Sequence, residues 1–126
     1  MELNSFNLRV YGLLIHEDHI LVTHERRSGI EMTKFPGGGL EFGEGIKDCL
    51  IREFQEELKI DIGVGEFYYV NDFLQISAYR ASDQLVSFYY KVRSEELNKI
   101  ITESKRTLNL NEQIVEWIPI SELKIE

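Results

Sequence analysis

Apolar and polar residues form short segments along most of the chain, and many of these segments are rich in Val, Ile, Leu and aromatic residues. Segments of this kind, bounded by polar or glycine-containing turns, are typical of β-strands. They predict strands at 8–15, 20–23, 65–72, 73–79, 85–92 and 113–118. The polar run His16-Glu17-Asp18-His19 predicts a tight hairpin turn between the first two strands.

One segment has the periodicity of a helix instead. From Ile46 to Leu58, apolar residues recur at positions 46, 50, 54 and 58, which places them on one face of a helix that packs on a core. Ser94 ahead of residues 95–101 predicts a short second helix with Ser94 as its N-cap. Residues 121–124 predict a terminal turn or helix. Together these elements predict a mixed α+β fold.

Composition agrees with a single folded unit. The chain has 126 residues, of which 43% are hydrophobic and 29% charged, so we expect one globular domain over 1–126. Its lone cysteine, Cys49, has no partner for an intramolecular disulfide. Residues 1–9 show no export signal, and no apolar run reaches the ~18 residues that span a bilayer. We therefore expect a cytoplasmic protein without membrane contact.

The net charge of the chain is −8. This charge opposes binding to long nucleic acids, because affinity for phosphate backbones comes largely from Lys and Arg. Clustered carboxylates can nevertheless hold divalent cations, which reverse the local charge and attract phosphate groups. The segment from Glu41 to Glu57 alone carries a net charge of −4, so it is the expected place for a cation.

A glycine cluster and a glutamate cluster adjoin each other in this part of the chain. Five of the nine glycines lie between Gly37 and Gly45, where backbone groups can approach closely because no Cβ intervenes. On the helix that follows, Glu53, Glu56 and Glu57 project within roughly a 100° arc. Carboxylate oxygens suit Mg²⁺, which Mn²⁺ can replace. By spacing alone, a solvated helix face stays open as the alternative.

The spacing of these residues also matches a known pattern. Gly38 is followed after five residues by Glu44, and after seven more by Arg52-Glu53-Phe54-Gln55-Glu56-Glu57. This pattern resembles the Nudix box of the Nudix (MutT-like) hydrolases. The resemblance implies an α/β/α sandwich, with a mixed β-sheet between helices and a glycine loop followed by the catalytic helix. The box usually has Gly where this chain has Lys59, so we expect a differently shaped helix end.

The resemblance implies roles for individual residues. The carboxylates of Glu53, Glu56 and Glu57 would bind Mg²⁺ or Mn²⁺, together with a backbone carbonyl of the glycine loop, which we assign to Gly37. Arg52 would hold the glutamates in position, with Glu41 or Glu44 as its partner in the loop. The first candidate for the general base is Glu53.

A loop glutamate is the second candidate for the base. Glu112 precedes the last predicted strand, as a loop glutamate does in many relatives, but an exposed glutamate without a role is an equal alternative. Arg26 and Arg27 follow the second predicted strand. A contact with substrate phosphate and a solvated charge without a role are the two alternatives for these side chains.

The implied reaction is hydrolysis of a nucleoside diphosphate linked to another group, with water attacking phosphorus. Nucleoside triphosphates, nucleotide sugars and dinucleoside polyphosphates all stay open as substrates. The alternative is a catalytically silent Nudix-fold module that senses a nucleotide. Such relatives usually lose box glutamates, and this chain keeps them, so we favour the enzyme. No residue requires a homodimer, and none excludes one.

Overall fold

Seven strands and one α-helix make up the regular structure of residues 2–123, which the computed structural model describes. Two short 3₁₀ turns, Leu97–Lys99 and Ile120–Glu122, complete it. The elements in chain order are β1 (Ser5–His16), β2 (His19–Arg27), β3 (Ile30–Lys34), β4 (Gly37–Gly39), α1 (Ile46–Leu58), β5 (Gly63–Val70), β6 (Asp83–Arg93) and β7 (Gln113–Pro119).

The long strand β1 joins the two parts of one mixed sheet. The strand order is β3-β2-β1-β6-β5, with β4 also paired to β1 and β7 to β2. β1 and β6 run parallel, from Ser5 opposite Asp83 to Leu14 opposite Val92, whereas the other pairs are antiparallel. The mixed sheet and the helix after the glycine segment match the expected fold class.

The predicted hairpin between β1 and β2 is confirmed. His16 pairs with His19 across the turn, and the two central residues, Glu17 and Asp18, have φ values of 48° and 61°. Positive φ at both central positions is the geometry of a two-residue hairpin turn, whose twist matches that of the flanking strands.

The apolar face of α1 fixes the helix against the sheet. Leu50 and Phe54 are fully buried and pack in one cluster with Val10 and Leu14 of β1. A Cβ added to Gly12 would lie 2.6 Å from the Phe54 ring, so the helix approaches β1 closely at this glycine. Burying a side chain such as Phe54 contributes roughly 1.5 to 3 kcal/mol. The helix is thus anchored through one face and presents its glutamates on another.

The strand predicted at 73–79 is wrong. This segment is irregular apart from a single bridge between Ile76 and Gln84, and the side chain of Leu74 is 60% exposed. The Asn71 side chain donates to the Leu85 carbonyl and accepts from the Ser87 N–H, so it takes two β6 backbone groups that a longer strand pairing would use. Beyond them, the Leu85 N–H donates to the Gln75 carbonyl and the Ser77 N–H to the Asp83 carbonyl, so the segment pairs with β6 over one bridge instead of a full strand.

The helix predicted after Ser94 is also wrong, since only the 3₁₀ turn Leu97–Lys99 forms there. The Ser94 hydroxyl does accept a hydrogen bond from the Glu96 N–H at 3.0 Å, as a cap would. Leu97 and Ile100 already pack against the core cluster from this single turn, and the backbone becomes extended at Ile100. For residues 121–124, the structure shows the turn Ile120–Glu122, and Lys124 lies outside the described residues.

The end of α1 differs from expectation as well. Lys59 adopts the left-handed conformation, with φ 59° and ψ 35°, that a glycine would take here. Its N–H donates to the Gln55 carbonyl at 3.1 Å, and its Nζ donates to the Glu56 carbonyl at 3.0 Å. The shape of the helix end is therefore kept without glycine.

Within residues 2–123, no helix has the length and apolar character needed to cross a bilayer.

Candidate active site

The glycine segment forms a short strand, β4, that lies directly against β1. Gly37 pairs with Tyr11 and has a φ of 149°. A Cβ on Gly37 would overlap the carbonyl oxygen of Val10. Only glycine meets both conditions, because it tolerates positive φ and adds no side-chain atom. This close approach positions β4 beside the α1 helix.

Two helix glutamates rest on the backbone of this glycine strand. A Cβ on Gly38 would lie 2.5 Å from the carboxyl carbon and Oε2 of Glu53, so the Glu53 carboxylate fills the space that a side chain would take. The Gly37 N–H donates to Oε2 of Glu57 at 3.2 Å. The glycines therefore form a cradle for the carboxylates of Glu53 and Glu57.

Arg52 ties the glycine segment to the helix. Its Nε and Nη2 donate to the two oxygens of Glu44 at 3.0 and 2.7 Å, as a two-pronged contact. Nη2 also donates to the Gly39 carbonyl at 3.0 Å. The hydrogen bonds from Arg52 lower the pKa of Glu44 to about 2, and those to Glu44 raise the pKa of Arg52. Both groups are thus charged over the whole working pH range.

The same guanidinium also contacts two of the predicted metal ligands. Arg52 Nη1 donates to Glu53 and to Glu56, at 2.9 Å in each case. The nearest distance from Arg52 to Glu41 is 3.7 Å, an ion pair outside hydrogen-bond range. Of the two loop partners considered for Arg52, Glu44 is therefore the hydrogen-bonded one.

Glu57 has a less favourable environment for charge. Burial, and next the negative charge of Glu53, raise its pKa from 4.5 to about 7, against the opposing effects of the Gly37 N–H, Lys34 and Gln113. The groups near Glu57 do not offset the repulsion between its carboxylate and that of Glu53 in this partly buried site. A cation placed between them would relieve this repulsion.

The donor set fits a hard divalent ion, although the ligands do not converge in this structure. Among residues 2–123, no three His, Cys, Asp or Glu side chains surround a common point. Glu53 and Glu56 contact Arg52, and Glu57 contacts the Gly37 N–H. All the donors are oxygens, as Mg²⁺ prefers, and the glycine cradle already holds two of the three carboxylates side by side.

Glu112 lies in a separate ion-pair network. Nη1 and Nη2 of Arg106 donate to its two carboxylate oxygens at 2.8 and 2.7 Å, and the Asn109 N–H donates at 2.9 Å. The contact with Arg106 lowers the pKa of Glu112 to about 2. In the described part of the chain, no hydrogen bond or ion pair joins Glu112 to α1. The structure thus does not bring Glu112 to the other predicted site residues.

Cys49 supports the site through its size. Its side chain is fully buried, and Sγ lies 3.5 Å from the Gly39 carbonyl oxygen. Burial, with a smaller effect of Glu44, raises the pKa of this thiol to about 12. It therefore stays protonated and is not a nucleophile.

Two residues that the sequence patterns did not identify affect the pKa of Glu57. Lys34 ends β3, and its charge lowers the pKa of Glu57, as does the Gln113 side chain at the start of β7. The alternating pattern of residues 30–34 was an available signal for β3. Nothing local marks Gln113, because sheet pairing alone brings β7 to the site.

Comparisons with known proteins agree with this architecture. The family profile described as NUDIX domain matches residues 6–126. A NUDIX hydrolase from Nitrosomonas europaea superposes with a TM-score of 0.68 at 21% identity, over 94% of this chain and 75% of that one. A MutT NUDIX hydrolase from Burkholderia pseudomallei gives 0.68 at 17% identity, over 98% and 90%. A UDP-X diphosphatase gives 0.67 at 16% identity, over 98% and 55%.

Proposed function

Because the chain belongs to the NUDIX domain family, whose hydrolases act on pyrophosphate bonds, we propose that it is a metal-dependent pyrophosphohydrolase. Its substrate would be a nucleoside diphosphate linked to another moiety. One observation carries the proposal: the carboxylates of Glu53 and Glu57 lie together on the glycine strand, beside the Arg52 contacts that link strand and helix.

Four groups would hold the metal ion. These are the carboxylates of Glu53, Glu56 and Glu57 and the backbone carbonyl of Gly37, with Mg²⁺ as the ion and Mn²⁺ as its substitute. When bound, the ion neutralises pyrophosphate oxygens and lowers the pKa of a bound water. Support for this assignment comes from the all-oxygen donor set and from the raised pKa of Glu57.

In the proposed reaction, the oxygen of a water molecule forms a bond to one phosphorus while the bridging phosphorus–oxygen bond breaks. The electron pair of the broken bond leaves with the departing phosphate. Glu53, as general base, accepts the proton of the attacking water. Glu112 is the second candidate for this role, and it would first have to separate from Arg106.

Arg52 acts in this proposal as a positioning residue. Its two-pronged contact with Glu44 anchors the guanidinium to the loop, so that Nη1 can orient the carboxylates of Glu53 and Glu56. Groups that orient metal ligands in this way typically tune affinity and activity.

The charge of the chain supports a small substrate. A net charge of −8 favours a mononucleotide derivative, held through the metal ion, over a long nucleic acid. The lone buried Cys49 is compatible with a cytoplasmic protein.

A substrate panel tests the proposal. Nucleoside triphosphates, nucleotide sugars and dinucleoside polyphosphates would be incubated with Mg²⁺ and the parent, Glu53→Gln, Glu56→Gln or Glu66→Gln. Glu66 is an exposed glutamate of β5 and serves as the matched control. We expect at least one compound to be hydrolysed, with a loss of about 10²-fold or more in the two site variants only. Unchanged rates in those two variants would contradict the site assignment.

A nucleotide-sensing module is the second candidate, because Arg52 Nη1 donates to both Glu53 and Glu56, two of the proposed metal ligands. Nucleotide binding without turnover across the whole panel would favour this function. Turnover of any panel member that depends on Glu56 would exclude it. Calorimetry on the same panel supplies the binding data.

A further inference from the structure

A second feature lies beside the glycine strand: a cavity of about 390 Å³. This volume falls within the range of roughly 300 to 1,000 Å³ that is typical of small-molecule sites. Its walls combine the aromatic side chains of Tyr11 and Tyr79 with four cationic ones, which come from Arg9, Lys34, Arg80 and Arg27. We call this cavity the basic pocket.

Two of the four cations already have a carboxylate partner. Lys34 Nζ lies 2.8 Å from a Glu25 oxygen, and Arg80 Nε lies 3.5 Å from an Asp83 oxygen. Because each already has an ion-pair partner, Lys34 and Arg80 are less available to an anionic ligand than the other two cations.

The other two cations have no carboxylate partner within 4.0 Å among residues 2–123. Arg9 donates from Nε to the Tyr11 hydroxyl at 3.2 Å, and the Arg27 guanidinium lies 5.0 Å from the centre of the Tyr79 ring. These contacts hold the two side chains in place without cancelling their charge. Among residues 2–123, Arg9 and Arg27 are therefore the two cations of the basic pocket that have no ion-pair partner.

The basic pocket adjoins the proposed metal site. Arg9 pairs with Gly39 across β1 and β4, and a Cβ on Gly39 would lie 3.3 Å from Arg9 Nη1. The charge of Glu53 also acts on Arg9. A substrate whose pyrophosphate contacts the metal site is thus able to extend a second group into the pocket.

We infer that Arg9 and Arg27 select a substrate that carries an anionic group, a phosphate or a carboxylate, in addition to the pyrophosphate that is cleaved. A guanidinium matches such groups with two parallel hydrogen bonds. A neutral sugar in the same place would leave both guanidinium groups without an anionic partner. This inference rests on the proposed function, since it assigns a substrate class to the same site.

Matched substrate pairs test the inference. NADPH and NADH differ by one ribose phosphate, and UDP-glucuronate and UDP-glucose differ by one carboxylate, so the two pairs separate the two sources of charge. We expect kcat/KM to favour the anionic member of at least one pair by about 10- to 100-fold in the parent. Arg27→Gln should reduce this preference, because kcat/KM for the anionic member should fall further than kcat/KM for the neutral member.

Arg27 is exposed at the end of β2, so Arg27→Gln is expected to fold, and thermal unfolding checks this. Lys91→Gln removes one positive charge from β6, outside the pocket, and serves as the charge control. Equal losses for both members of each pair in Arg27→Gln would overturn the inference. Absence of any preference in the parent would overturn it as well.

A binding measurement separates this inference from the proposed function. Calorimetry with Mg²⁺ would compare adenosine 2′,5′-bisphosphate with adenosine 5′-monophosphate, in the parent and in Arg27→Gln. Tighter binding of the bisphosphate, lost in Arg27→Gln, supports the pocket even if no panel compound is hydrolysed. Hydrolysis without any preference for the anionic ligands would support the enzyme and overturn the pocket.

Discussion

Replacing Gly38 with alanine is the sharpest perturbation of the proposed site. The added Cβ would lie 2.5 Å from the carboxyl carbon and Oε2 of Glu53 and 2.6 Å from Oε1. A comfortable contact needs roughly 3.5 Å, so the carboxylate must move by about 1 Å. Because the carboxylate is the end of the flexible Glu53 side chain, it can move at little cost to the fold.

The expected effect is therefore on activity more than on stability. A displacement of about 1 Å can reduce a rate by about 10²-fold, and the contact between Glu53 and Arg52 Nη1 would be lost as well. We expect kcat/KM on the best panel substrate to fall by about 10²-fold, while the free energy of unfolding changes by less than about 1 kcal/mol. Steady-state kinetics and urea unfolding of the same preparation measure both quantities.

Gly37→Ala is the contrasting variant in the same strand. Its Cβ would overlap the Val10 carbonyl oxygen, and its φ of 149° disfavours any side chain. We expect a loss of about 3 kcal/mol or more in the free energy of unfolding. Full activity of Gly38→Ala would show that Glu53 does not need the space that Gly38 leaves. A large loss of stability in Gly38→Ala would refute the claim that Glu53 can move freely.

Three further predictions address neighbouring residues. Since the pKa of Glu57 is raised from 4.5 to about 7, the Glu57 carboxyl stays protonated up to a higher pH in the folded state than in the unfolded state. The stability of the metal-free protein should fall as pH rises through that window, and urea unfolding of Glu57→Gln should lack this component. Lys59→Gly should stabilise the protein by about 0.5 to 1 kcal/mol, because relief of the left-handed conformation exceeds the entropy cost of glycine. A lower thermal midpoint would contradict this. Arg52→Lys keeps the charge but loses the two-pronged contact with Glu44, so the rate should fall about tenfold or more and the Mg²⁺ requirement should rise; an unchanged Mg²⁺ titration would contradict the positioning role.

The parts of the fold that depend on local pattern could be predicted from the sequence. The helix Ile46–Leu58 has the predicted bounds, because its apolar period and its core contacts agree. The segment 73–79 has the composition of a strand, but it pairs with β6 only at the single bridge between Ile76 and Gln84, and the Asn71 side chain takes the neighbouring β6 backbone groups. Composition does not reveal how far such a pairing extends.

The same distinction holds for the candidate site. Glu53 and Glu56 lie three residues apart on one helix, so their spacing places them on one face, and each accepts a hydrogen bond from Arg52 Nη1. Arg9 and Gln113 lie on β1 and β7, far from α1 along the chain. Their proximity to the glutamates depends on which strands pair in the sheet, and those pairings join segments that are far apart in the chain.

The proposed metal dependence is tested by the rate of pyrophosphate cleavage as a function of free Mg²⁺, measured for the parent and for Glu56→Gln. We expect no turnover in a chelating agent and saturation of the parent with Mg²⁺. We also expect a half-saturating Mg²⁺ concentration that is at least about tenfold higher in Glu56→Gln. Turnover that persists in the chelating agent, or identical Mg²⁺ curves for the two proteins, would contradict the assigned metal site.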